Sequence, residues 1–325
     1  MTVAAILIGE GEQMERGKFQ KAFKKIPAAA FALVFLLITC SLISKHFWTR
    51  ENLSNLGLQG TVLAILALAQ TMVILVEGID LSSGPLVSFC GVVVAVLLHK
   101  DLGLPLVILT SIILGTACGC INGILIAKFK MPPFVATFGN MGVFTGLALV
   151  ITQGSSIPGF GEAFRFIANG YVWGFPFMVL ILIFIILFSY VLLYHTTFGT
   201  YVFGIGGNQE AVHLIGVNDI FFKSAVYGVA GSYAGVAALI MTSRMNAAHP
   251  LVGFGLEFEA IVSVIVGGCS WTLANGNPWG TLVGAATIVV LKNGLNVLGV
   301  PPPVQVAGVG AFLILAVIYD TIKKK

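Results

Sequence analysis

Charge is what this sequence has least of. Of 325 residues, 17 are Lys or Arg and 13 are Asp or Glu, about 9%, against roughly 25% in a soluble globular domain. A water-facing surface cannot be assembled from so few charges. That excludes a soluble enzyme, a nucleic-acid binder and a disordered chain. Cysteine is sparse too: Cys40, Cys90, Cys118, Cys120 and Cys269 lie in or beside apolar runs, with no His or Cys at zinc-ligand spacing. They read as small buried hydrophobes. Nucleotide-binding and catalytic signatures are missing as well. Gly17-Lys18 is followed by Phe19, with no glycine five residues earlier, and GxGxxG, HExxH and GxSxG do not occur.

Apolar length is what the sequence has instead. Hydrophobic residues make up 58% of the chain and mean hydropathy is +1.00, so lipid is the expected solvent. A span needs about 20 residues, at about 1.5 Å each, to cross a hydrocarbon core of about 30 Å. Ten candidate runs occur: 28–44, 59–76, 85–98, 105–127, 133–151, 176–194, 222–242, 257–268, 279–298 and 304–320. Two of them, 85–98 and 257–268, are short. They predict broken or half-crossing helices, whose ends must be satisfied by protein or by a water-filled cavity.

The placement of charge predicts an orientation. Arg16, Lys18, Lys21, Lys24 and Lys25 precede the first run, and no A-x-A cleavage site follows it, so that run reads as an uncleaved first helix. Ten crossings put both termini on one side. With that side cytoplasmic, Lys128, Lys130, Lys223 and Lys323–Lys325 join the five N-terminal cations inside. Lys45, Arg50, Lys100, Arg165 and Arg244 lie outside, and Lys292 falls within a span. Eleven against five agrees with the positive-inside bias. The expected fold is an all-α polytopic membrane protein of about ten crossing or partly crossing helices. Its parts are a cytoplasmic segment 1–27, one transmembrane domain 28–320 containing a cytoplasmic loop 195–221, and a basic cytoplasmic tail 321–325.

The chain also repeats itself. NGILIAKFKMPPFVATFG at 122–139 and NGLNVLGVPPPVQVAGVG at 293–310 share six of eighteen positions at an offset of 171, including Asn122/Asn293, Pro132/Pro303 and Gly139/Gly310. In the charge-derived topology the copies run in opposite directions, which predicts an inverted repeat with a solute path near the repeat interface.

Five places carry polar groups where lipid would not favour them. Glu77-Gly78-Ile79-Asp80-Leu81-Ser82-Ser83-Gly84-Pro85 breaks what would be continuous helix, and Asp80 can cap the next helix or meet solute together with Ser82. The outer stretch from His249 through Glu257 and Glu259 reads as a capped helix start or as a docking surface for an external partner. Lys292 is expected to snorkel or to pair with an acid. Gln70, Asn140, Asn293 and Asn296 stand at span depth, where amides match sugar hydroxyls or join helices. The inner loop HTTFGTYVFGIGGNQEAVHLIGVNDI is the fifth place. Gly204, Gly206 and Gly207 predict a flexible lead, Asn208 an N-cap, Glu210-Ala211-Val212 a short helix, and Gly216 its end. Such a helix fits a groove on another protein, or is an ordinary loop helix.

Taken in order, GIDLSSG at 78–84, NGILIAKFKMPPFVATFG at 122–139, FGTYVFGIGGNQEAVHLIGVN at 198–218, HPLVGFGLEFEAIVSVIVGG at 249–268 and KNGLNVLGV at 292–300 resemble the permease subunits of bacterial ABC importers for ribose and related sugars. The resemblance implies a permease for a ribose-like monosaccharide or a polyol in the bacterial inner membrane. It implies that two permease subunits pair, as identical copies or with a sister chain. It implies that the segment bearing Asn208, Glu210, Ala211, Val212 and Gly216 docks into an ATP-binding subunit, and that an extracytoplasmic sugar-binding protein delivers solute to the opposite face. ATP and Mg then belong to the partner, with no cofactor in this chain, no catalytic residue and no nucleic acid. Two glycines expected of the family are replaced by Leu273 and Ala274. The competing expectation is an ion-gradient-driven secondary transporter using Glu77, Asp80, Glu257 or Glu259 as ion carriers.

Overall fold

The structure, a computed structural model, describes residues 28–269 and 276–323. Segment 1–27, Leu273 and Ala274, and the last two residues of the basic tail lie outside the described residues. Twelve helices follow one another among the described residues: α1 Ala28–Ile43, α2 Arg50–Leu75, α3 Ser83–Leu98, α4 Leu104–Ala127, α5 Pro133–Thr152, α6 Glu162–Asn169, α7 Phe177–Tyr194, α8 Thr197–Leu214, α9 Asp219–Met245, α10 Leu256–Val266, α11 Pro278–Val297 and α12 Pro302–Lys323.

Six of these are long and apolar enough to cross a membrane: α2, α4, α5, α7, α9 and α11. The helices α3 and α10 hold 16 and 11 residues, about 24 and 17 Å of rise, and correspond to the two short runs. Each remaining expected span coincides with a helix to within three residues, except 59–76. There α2 starts at Arg50 because the Thr49 hydroxyl accepts the Asn52 amide at 3.4 Å, which makes Thr49 an N-cap. Helix α6 lies between the expected spans 133–151 and 176–194. It buries Phe164, Ile167 and Ala168 and exposes Glu162 and Arg165, too polar on one face to read as a span.

Burial sorts the helices into a centre and a periphery. Within the most apolar window of each, α2 is 89% buried and α9 72%, whereas α5 and α7 are 22% buried and present their side chains outward. The central contact is α4 against α9. Gly115 and Gly119 of α4 face Gly231 and Tyr227 of α9, and a methyl on either glycine would overlap a backbone carbonyl of the partner. Small residues allow this close approach, which is how helices gain contact where lipid supplies no hydrophobic drive.

The repeat is visible element by element. The starts of α1, α2, α3, α4 and α5 at 28, 50, 83, 104 and 133 are answered by α8, α9, α10, α11 and α12 at 197, 219, 256, 278 and 302, all within three residues of the 171 offset. Helix α4 packs on α9 as α11 packs on α2, and α3 packs on α5 as α10 packs on α12. The copies are antiparallel. Arg244 near the end of α9 donates to Asn55 near the start of α2 at 2.9 Å, while Tyr227 near the start of α9 reaches the Ile79 carbonyl just past the end of α2. Helices α6 and α7 sit between the halves.

Two short ladders mark one end of the bundle. Strand β1, Ile157–Pro158, pairs antiparallel with β4, Ala247–Ala248, and β2, Tyr171–Val172, pairs with β3, Phe175–Pro176. The second hairpin turns through Trp173 and Gly174, both at positive φ, the signature of a tight two-residue turn. The opposite end carries α8.

Candidate functional site

Three polar features lie along the bundle, one at each end and one in the middle. At the α8 end, Thr196 caps the helix by accepting the Gly199 amide. Gly204–Gly207 continue it and do not form the flexible lead that their composition suggests. Buried Val202 and Ile205 anchor this part, so tertiary packing overrides the weak helix propensity of glycine. The helix breaks at Asn208, whose backbone is extended (φ −161°, ψ 96°) and whose Oδ1 accepts the Ala211 amide at 2.9 Å. A short second helix runs to Leu214 and ends at Gly216, which sits at φ +84°, a left-handed geometry that suits glycine at a helix end.

This lobe is clamped to α9. Asp219 Oδ2 accepts from Gln209 Nε2 at 2.6 Å, Asp219 Oδ1 lies 3.0 Å from His213 Nδ1, and Lys223 Nζ donates to Gln209 Oε1 at 2.6 Å. Glu210 and Ala211 are exposed, but Val212 is only 8% exposed. Expected on the docking surface, Val212 instead turns inward over Gly204, because it is the apolar residue on the face toward the bundle. Leu214 and Ile215 are the apolar groups that project, at 78% and 73% exposure. Sequence reasoning passed over them because two apolar residues beside a glycine look like ordinary core.

In the middle, the start of α3 meets the start of α10. Asp80 is buried, and its Oδ1 accepts from the backbone N–H and the hydroxyl of Ser82 at 2.8 and 2.6 Å. The chain of donors continues outward. Asn122 Nδ2 donates to Ser82 Oγ at 2.7 Å, and Asn140 Nδ2 donates to Asn122 Oδ1 at 2.5 Å. Thr137 and Tyr227 both donate to the Ile79 carbonyl. Asp80, Ser82 and Asn140 therefore form one network through Asn122, in which buried polar groups satisfy each other. On the α10 side, Glu257 is 0% exposed and accepts the Gly255 amide with both oxygens, at 3.1 and 3.0 Å. It caps its own turn and has no outward face, which removes it from any surface that docks an external protein. The Gly253 amide donates to Ser88 of α3 at 2.8 Å. His249 is half-buried, and its Nδ1 accepts from the Leu251 amide at 3.2 Å.

At the ladder end a chamber of about 530 Å³ opens between α2, α9, α10, α11 and the start of α12, within the usual volume range of small-molecule sites. Gln59, Arg244, Glu259, Lys292 and Asn296 give it a polar wall, and Leu63, Met241 and Val289 an apolar one. Lys292 Nζ lies 2.5 Å from Glu259 Oε1. That pairing meets the expectation for Lys292 and turns Glu259 toward its own bundle rather than toward an external partner. Asn293, one residue away, points elsewhere and exchanges two amide hydrogen bonds with Asn52, at 3.0 and 2.7 Å. Gln70 is buried in α2, and its Nε2 has no hydrogen-bond partner. The six residues expected along a solute path are thus split among a network, a helix-joining amide pair, a free buried donor and a chamber wall.

Among known proteins, the family described as the branched-chain amino acid transport system / permease component matches residues 52–317. The ribose import permease protein of Escherichia coli strain K12 is 35% identical over 313 residues, covering 95% of this chain and 98% of that protein. The ribose import permease protein of Haemophilus influenzae is 36% identical over 293 residues, with 89% and 91% covered. The D-allose transport system permease protein of Escherichia coli is 31% identical over 293 residues, with 90% of each covered. No solved structure matches the chain.

Proposed function

This chain belongs to the branched-chain amino acid transport system / permease component family, and from that premise we propose that it is the membrane subunit of an ATP-driven importer for a monosaccharide. Although the family is described by amino acids, the relatives aligned along nearly the whole chain import ribose and allose. A sugar or a related polyol is therefore the solute. The lobe that ends at Leu214 and Ile215 docks into an ATP-binding subunit, which holds ATP and Mg. The ladder end faces the extracytoplasmic side and receives sugar from a binding protein, so both termini lie in the cytoplasm of the bacterial inner membrane. A second permease subunit completes the path. Gln70, Asp80, Ser82, Asn140, Asn293 and Asn296 lie along or beside that path, and the unpartnered donor of Gln70 is the best supported of them.

The observation that carries this reading is the clamp from Gln209 and His213 to Asp219. It fixes an exposed short helix rigidly to the start of α9, which runs from the lobe to the chamber. A push on the lobe therefore moves a helix that reaches the far end, as alternating access requires. An ion-gradient mechanism has less to work with. Asp80 and Glu257 cap turns and Glu259 pairs with Lys292, so these acids already hold structural partners. The test is reconstitution in vesicles. The chain with its ATP-binding subunit and binding protein accumulates ribose or allose when ATP is supplied. Accumulation by the chain alone under a proton or sodium gradient would overturn the reading.

A further inference from the structure

We propose that the chamber at the ladder end is the station where a neutral monosaccharide first lodges in the permease, read by Arg244, Gln59 and Asn296 and passed on toward Gln70. The proposal rests on the sugar-import reading above and adds a place and a set of contacts to it.

Position is the first argument. The chamber is walled by α2 and α9, the central symmetry-related pair, and by α10, α11 and the start of α12 of the second half. It thus sits at the repeat interface, along which inverted-repeat transporters run their solute path, and at the outer end of that path rather than at its middle. It also lies at the end of the bundle away from the docking lobe, so α9 links the two.

Chemistry is the second argument. A sugar presents hydroxyl edges and an apolar C–H face, and the chamber presents amides and a guanidinium on one wall and Leu63, Met241 and Val289 on the other. Three of its polar side chains have unused capacity, while Gln305 gives its amide to the Val300 carbonyl. Among the described residues, Arg244 gives one nitrogen to Asn55, and no hydrogen bond to the side chains of Gln59 or Asn296 occurs. An arginine fork with free donors suits vicinal hydroxyls, and an amide can both donate to and accept from them. Glu259 and Lys292, the other charged groups facing the chamber, neutralise each other, so no full negative charge is left to demand a cation.

Continuity is the third argument. Gln59 and Gln70 are eleven residues apart on α2, which is about three turns and so the same face. Leu63 and Leu66 lie between them on that stripe. The next polar group on that stripe is thus Gln70, whose Nε2 is buried and unpartnered. A buried donor without an acceptor costs about 1–3 kcal/mol, and a passing hydroxyl relieves that cost.

The test uses the assembled importer in right-side-out membrane vesicles. Asn296→Cys is reacted with a membrane-impermeant maleimide, alone and with D-ribose, D-allose, D-galactose or xylitol, against the unsubstituted chain as the background for native cysteines. Labelling is expected from the outer side, slowed about threefold by a transported solute at twice its dissociation constant, as single-site occupancy dictates. In parallel, Asn296→Ala and Arg244→Lys are expected to change the ratio of uptake rates among transported solutes by about three- to tenfold, the worth of one hydrogen bond. The lobe variant Glu210→Lys is expected to lower all rates in proportion. Labelling that no transported solute slows, no labelling from the outer side, or unchanged uptake ratios would overturn the station while leaving the importer reading intact. An assembled importer that moves none of the four overturns the sugar reading and the station with it.

Discussion

Gly84 and Gly253 lie backbone against backbone where the half-helices α3 and α10 meet, and a methyl group added to either would overlap the carbonyl oxygen of the other. Two helices too short to cross alone thereby share one crossing point, with Asp80 and Glu257 satisfying the turns that lead into them. The two carbonyls are backbone and cannot swing away, and a methyl on Gly84 would also overlap the Glu257 carboxylate. Gly84→Ala or Gly253→Ala is therefore expected to destabilise the folded protein by about 1–3 kcal/mol, the usual cost of overpacking. Gly142→Ala in α5, with nothing within 4 Å of the added carbon, is the control, expected to be neutral or slightly stabilising. Thermal unfolding in detergent checks the ranking. Equal midpoints for all three variants would contradict it.

The buried chain of donors from Asn140 to Asp80 has its own signature. Removing Asn122 leaves the Asn140 amide without its acceptor and Ser82 Oγ without a donor. Asn122→Leu is expected to cost about 2–4 kcal/mol, the desolvation of two stranded groups. Thr110→Val at the exposed side of α4, where the hydroxyl only bonds its own helix, is expected to cost less than about 0.5 kcal/mol. The same unfolding measurement decides between them.

Most of the helical frame was legible in the sequence, because lipid permits few alternatives to an apolar helix of the right length. The break at Glu77–Pro85 and the brevity of 257–268 were legible for the same reason. The 171-residue offset was readable only from six identical positions around two helix–Pro–helix corners, yet five helix pairs follow it. What stayed hidden was direction. Val212 and Leu214 are both apolar in sequence, and only the clamp onto α9 decides that one points in and the other out. Glu257 and Glu259 look alike as first-turn acids, but α3 buries one while α11 pairs with the other. The chamber shared by Arg244 and Gln59 was not legible because it forms from helices nearly two hundred residues apart.

Lys292 and Glu259 provide a third prediction. Both are partly buried, with side-chain exposures of 29% and 14%. Lys292→Met strands a carboxylate in the chamber wall, whereas Lys292→Met with Glu259→Gln removes both charges. Breaking a buried pair costs more than replacing it. The single variant is therefore expected to unfold at a lower temperature than the double one. A double variant that is no more stable than the single one would show that the pair is not what holds α10 to α11.

The lobe supplies the last prediction, and its two parts separate docking from transmission. Leu214→Glu and Ile215→Glu change side chains that touch little of this chain, so the fold is expected to hold within about 0.5 kcal/mol. Burying a charge against an apolar groove is costly, so co-purification of the ATP-binding subunit is expected to fall for both. Asp219→Asn acts differently. It leaves Leu214 and Ile215 in place but weakens the charge-assisted bonds to Gln209 and His213, each worth about 1.5–3 kcal/mol. On the proposed coupling role, the lobe is then expected still to dock but no longer to carry α9 with it. The expected result is a complex that assembles normally and hydrolyses ATP while sugar uptake drops. If Asp219→Asn instead lost the ATP-binding subunit together with uptake, the clamp would be part of the docking surface rather than the link behind it.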